Sequence, residues 1–152
     1  MFSQEDREMI LHIRDLFSLN GNKPKYNEEA NTVILPVSRG KSTHLLFMTY
    51  EKNILRIFSI VPLDIQDCSV QFLKYVLNLN FDIKMGGLCW SETIGRLLFQ
   101  LSVPMIEKPT EEELSVPMRY FVEVMDENVL ELISYFYESR KLGERPITNT
   151  FH

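Results

Sequence analysis

Cysteine is scarce: Cys68 and Cys89 are the only two among 152 residues. Neither has a second cysteine or a histidine at ligand spacing, so no zinc ligand set is visible. Both read as reduced, buried small hydrophobes. No apolar run approaches the ~20 residues that cross a bilayer. The start, Met1-Phe2-Ser3-Gln4-Glu5-Asp6, lacks the basic region and apolar stretch of a signal or transit peptide, so a cytoplasmic protein without membrane insertion is expected. Basic residues are outnumbered, 16 against 21 acidic ones, and the net charge is -5. With no basic run to neutralise phosphates, nucleic acid is not an expected partner.

Chemistry-bearing clusters are equally sparse. His12 lies in a helical pattern with no nucleophile beside it, His44 opens a strand pattern, and His152 is terminal. None forms a metal pair. Glu111-Glu112-Glu113 is explained by the positive end of a helix dipole, since consecutive helical residues point in different directions. Gly40-Lys41-Ser42 lacks the earlier glycine of a phosphate loop, position 35 being Leu, and Gly86-Gly87 lacks the following lysine. No catalytic, cofactor-binding or metal-binding residue is expected. The chain reads as a non-enzyme.

What is present is material for a core: 45% hydrophobic residues, ten Phe and six Tyr. That supports one folded domain over residues 3–140, with the polar stretch 141–152 as a flexible tail. Ser3 caps a first helix whose stripe is Met9, Ile10, Ile13, Leu16 and Phe17, ended by Asn20-Gly21-Asn22 and Pro24. From Asn31 the period becomes that of strands, with Val33, Leu35 and Val37 on one side. Two further strands, His44 to Tyr50 and Ile54 to Val61, are joined by Glu51-Lys52-Asn53 as a hairpin. Asp64 or Asp67 caps a second helix with an inward stripe of Phe72, Leu73, Val76 and Leu77. Gly86-Gly87 opens a fourth strand, and the turn at Thr93-Ile94-Gly95 returns a fifth. Pro109, Thr110 and the three glutamates start a long final helix, which Pro117 should kink or divide. The expected fold class is α+β, an antiparallel five-stranded sheet with helices in the order α-β-β-β-α-β-β-α.

If Leu45, Phe47, Leu55, Ile57, Leu97, Phe99 and Leu101 pack under the helices, then Ile34, Leu46, Met48, Tyr50, Phe58, Ile60 and Leu98 form a second face that is also apolar. Such a patch needs a cover. The final helix, a homodimer partner and another protein all remain open, and an edge strand offers a further route for an extended segment. With Trp90 as an aromatic anchor, these residues are the candidate partner-binding set.

Asn80 after the second helix, Gly86-Gly87-Leu88-Cys89-Trp90 entering a strand, Gly95 at the turn and Leu97-Leu98-Phe99-Gln100-Leu101-Ser102-Val103-Pro104 leaving it carry a resemblance. In these residues and in element order, the chain resembles the type III secretion chaperone-like fold, and more particularly the YbjN-like family. The resemblance implies a non-catalytic, often dimeric protein that holds or escorts others. The expected function is a chaperone-like, assembly or adaptor role, holding a client segment without a cofactor. A regulatory binding domain of signal transduction or stress response is the alternative, followed by a small-molecule-binding protein.

Overall fold

The computed structural model describes residues 1–39, 42–65 and 69–141. The expected tail therefore lies outside the described residues, apart from Lys141. Cys68 and the candidate cap Asp67 lie outside them too.

The first helix, α1 (Gln4–Leu19), opens with a capping box. Ser3 Oγ accepts from the Asp6 N–H at 3.1 Å, and the Asp6 carboxylate accepts from the Ser3 N–H at 3.1 Å. It closes with Gly21 at φ +81°, where the Asn22 N–H reaches back to the Phe17 carbonyl. This left-handed step suits glycine and satisfies the last carbonyls of the helix.

Among the described residues there are six strands, β1 (Lys25–Asn27), β2 (Thr32–Arg39), β3 (Ser42–Glu51), β4 (Ile54–Ile60), β5 (Gly87–Ser91) and β6 (Arg96–Pro104), in the spatial order β1-β2-β3-β4-β6-β5. The sheet is antiparallel and has one strand more than the five expected, giving α-β-β-β-β-α-β-β-α. The additional strand is β1, Lys-Tyr-Asn, which pairs Lys25 with Ile34, Tyr26 with Val33 and Asn27 with Thr32. Three residues are too few to show an alternation in sequence. The β3–β4 hairpin turns on Lys52 and Asn53 alone, both at positive φ (51° and 66°), the two-residue geometry that matches strand twist.

Register decides the faces. Met48 stands opposite Ile57 and Tyr50 opposite Leu55, while Phe47 stands opposite Phe58. Directly opposed residues share a face, so Leu46, Met48 and Tyr50 join Leu55 and Ile57, all at most 3% exposed, on the side where α1 packs on β2 and β3. Leu45 and Phe47 take the other side. The expected division had exchanged these residues of β3, because the strand's parity had been set without its hairpin register.

The second helix, α2 (Val70–Asp82), is capped by Ser69, whose Oγ accepts from the Phe72 N–H at 3.0 Å, and not by Asp64. Its buried residues are Phe72 and Leu79; Leu73 and Leu77 of the expected inward stripe are exposed. The final helix comprises α3 (Glu111–Val124), a π-helical turn (Met125–Val129) and α4 (Leu130–Lys141). Pro117 lies inside α3 without dividing it. The departure from α geometry comes later, where the Leu130 N–H bonds the Met125 carbonyl.

The chain divides into two compact units. Met1–Ser59 and Gln100–Val122 form the first; Ile60–Phe99 and Glu123–His152 form the second. In the first unit, Tyr50 donates its hydroxyl to the Met105 carbonyl, and His12 Nε2–H donates to the Pro109 carbonyl at 2.7 Å. These bonds pin the segment that leads into α3. In the second, the α2–α4 contact is aromatic: Tyr75 stacks on Tyr135 at 4.1 Å, and Phe72 meets Phe136 edge to face at 5.0 Å.

Candidate binding groove

The first unit contains an open groove of about 290 Å³. Its floor comes from three elements. Leu114, Met118 and Val122 recur at every fourth position of α3, and each is under 9% exposed. Leu16 and Phe17 contribute the last turn of α1, while Leu35 and Val37 contribute alternate positions of β2. A polar bank runs beside that floor, again at helical spacing: Glu111, Ser115 and Arg119. Asn20 and Asn22, at the Gly21 turn, also line the groove. From Glu111 to Arg119 the bank is about 12 Å long at 1.5 Å per helical residue, the span of roughly four extended residues.

The start of α3 is locally well specified. Thr110 Oγ1 accepts from the Glu113 N–H at 3.2 Å, and Glu113 Oε1 accepts from the Thr110 N–H at 3.1 Å. This capping box fixes where Glu111 begins the bank. Among the described residues neither Glu111 nor Arg119 has an ion-pair partner, so the groove is lined by an acidic group and a basic group two turns apart.

The groove borders an edge. β1 covers β2 only from Thr32 to Ile34, and no strand among the described residues pairs with the outer side of Leu35 to Ser38. Pro36 lies in that stretch and has no N–H to donate, which blunts the edge without closing it.

The candidate residues fall into three groups. Leu46, Met48 and Tyr50 are in the core under α1, and Leu98 is buried at 8% exposure. Ile34, Phe58 and Ile60 are half-buried; of these, Ile34 and Phe58 lie in the row through Phe47, whose ring stacks on Phe58 at 5.0 Å. Trp90 in β5 is 47% exposed. The structure thus does not gather the eight into one surface. In sequence, Leu16, Leu114, Met118 and Val122 carry only the periodicity of apolar helix faces; the signal for the groove is Glu111, Ser115 and Arg119 repeating at helical spacing beside one of them.

Two phenols are electrostatically perturbed. Burial, reinforced by Asp6 and Glu5, raises the pKa of Tyr50, and burial with the neighbouring Glu131 raises that of Tyr75. Among the described residues no group of three or more His, Cys, Asp or Glu is placed to hold a metal ion, and no helix is long and apolar enough to cross a membrane.

No family model matches the chain, and no curated protein matches it. Among solved structures, the chain is similar to one in the HopA1-SchA chaperone-effector complex, with a TM-score of 0.54 and 18% identity over 83% of this chain and 96% of that one. At that identity the likeness is one of fold alone.

Proposed function

We propose that the chain is a non-catalytic, chaperone-like or assembly protein that holds an extended segment of a client protein in the groove between α1, β2 and α3. The observation that carries this reading is an apolar groove lying beside an unpaired strand edge. A segment seated there gains backbone hydrogen bonds from the edge and pockets for alternate side chains from the floor. The fold likeness to a chain of a chaperone–effector complex supports it. The groove is open to solvent and lined mainly by apolar side chains, which suits a row of side chains better than an enclosed small molecule.

Within this reading the protein works in the cytoplasm as a homodimer without a cofactor. Membership of the YbjN-like family belongs to the same proposal. Its support is the Asn80 and Gly86-Gly87-Leu88 pattern, which has a definite role here: Asn80 bonds both backbone groups of Leu88.

The test is binding of an array of short peptides with alternating apolar residues, read by fluorescence polarisation. Leu16→Glu places a carboxylate on the groove floor at a partly exposed site, and Arg119→Glu reverses the bank. Binding that both variants weaken at least about tenfold supports the reading. Binding unaffected by either would sink it.

A further inference from the structure

The groove is banked by charges of opposite sign, and their spacing specifies more than an apolar segment. Glu111 and Arg119 are both exposed, and Ser115 between them is half-buried. Among the described residues neither charge has an ion-pair partner, so both are available to a ligand. Successive bank residues are four positions apart on α3, about 6 Å along the helix axis at 1.5 Å per residue. Side chains on one face of an extended strand are two residues apart, about 6.6 Å at 3.3 Å per residue. A strand running along α3 therefore sets three consecutive same-face side chains against Glu111, Ser115 and Arg119 in turn, with a mismatch of only about 1 Å across the whole bank. Leu114 and Met118, which alternate with the bank along α3, are buried residues of the floor.

We infer that the groove selects a five-residue client motif with a basic residue at one end, an acidic residue at the other and an apolar residue midway. The basic side chain meets Glu111, the apolar one lies over Leu114 and Met118, and the acidic one meets Arg119. The second and fourth residues point away from the groove and are unconstrained. A helical client would have to carry its charges eight residues apart to span the same distance, so the bank also reads the client's conformation. Exposed ion pairs add little affinity, but like charges set against each other are unfavourable, and the two charges act mainly by rejecting segments with the wrong ends. This selection deepens the reading of the groove as a client site and rests on it.

Fluorescence polarisation of the full chain with labelled peptides tests it. Three peptides of alternating valine and threonine carry, in place of two valines four residues apart, Lys and Glu, two Lys or two Glu. The wild type should bind the Lys and Glu peptide roughly fivefold more tightly than either like-charged one. Arg119→Glu should turn the preference to the two-Lys peptide and Glu111→Lys to the two-Glu peptide, both with unchanged circular dichroism. A like-charged peptide presents the same ends whichever way it runs, so the two switches do not depend on client direction. Moving the charges to eight residues apart should erase every preference, which separates contact at the bank from attraction or repulsion by the net charge of -5. Equal binding of the three peptides by the wild type, or variants that keep its preference, overturns the motif and leaves the groove standing when Leu16→Glu still weakens binding. A preference seen only at the eight-residue spacing also overturns it, in favour of a helical client. Binding of none of the peptides, or binding that Leu16→Glu leaves intact, sinks the groove reading and the motif with it.

Discussion

Replacing Asn80 by alanine should destabilise the protein more than the loss of a half-buried side chain normally does. Asn80 Oδ1 accepts from the Leu88 N–H at 2.6 Å, and Nδ2 donates to the Leu88 carbonyl at 2.9 Å. The amide thus occupies the place of a neighbouring strand along β5, which ends the sheet. It lies close against Gly87, where an added Cβ would be in van der Waals contact with Oδ1 at 3.4 Å. Asn80→Ala strips both partners from the backbone of a residue only 6% exposed. Each orphaned group costs about 1–3 kcal/mol, partly relieved by water at the edge, so a total of about 2–3 kcal/mol is expected. That is a large fraction of a typical folding stability of roughly 5–15 kcal/mol. Urea unfolding followed by Trp90, two residues along the same strand, measures it directly. A loss under about 0.5 kcal/mol would refute the reasoning, because such a value fits only an exposed, dispensable contact. Asn80→Asp sharpens the test. Its carboxyl, when protonated, can reproduce both bonds, but when ionised it sets an oxygen against the Leu88 carbonyl. The folded state therefore raises its pKa, and the variant should be most stable below the unfolded carboxyl pKa and lose stability as pH rises through the folded one.

Other consequences are as direct. Thr110→Ala removes one half of the α3 capping box and should cost about 1 kcal/mol by thermal or urea unfolding, with peptide binding at the groove weakened through fraying of the bank. Tyr50→Phe loses the bond to the Met105 carbonyl, at about 1 kcal/mol near neutral pH. Because the phenol pKa is raised above 10.0 in the folded protein, wild-type stability should hold below that pH and fall as pH rises through the folded value, a dependence that Tyr50→Phe abolishes. Leu46→Ala should cost about 2–5 kcal/mol, whereas Leu45→Lys, next to it but 48% exposed, should change urea stability by less than about 0.5 kcal/mol. Equal costs at the two positions would contradict the register of β3.

These positions also show what was legible in the sequence. Helix α1, its Ser3 cap and its Gly21 stop could be read because local chemistry alone selects them: a hydroxyl for unpaired N–H groups, and a residue without a Cβ for a left-handed step. The β3–β4 hairpin was equally visible. Which face of β3 is buried was not, because Leu45 to Tyr50 is apolar at nearly every position and a shift of one residue exchanges the faces. Strand β1 escaped because it is polar and holds its place through pairing with β2. The stripe on α2 misled for a related reason. Leu73 and Leu77 have the periodicity of a core, and periodicity says that an apolar face exists without saying whether the chain itself covers it.

The two ends of the sheet show how an open edge becomes a site. At β5 the backbone of Leu88 is capped by Asn80, so that edge cannot accept another strand there without expelling the amide. At β2 no strand among the described residues pairs with the outer side of Leu35 to Ser38; only Pro36 interrupts their donors. An unguarded edge exposes a protein to uncontrolled pairing, and its retention next to a groove is tolerable when an occupant of limited length can end the sheet. The span of the Glu111 to Arg119 bank sets that limit at roughly four extended residues. A client longer than this must leave the groove at both ends. Its specificity should therefore reside in a short apolar core, with flanking sequence free to vary.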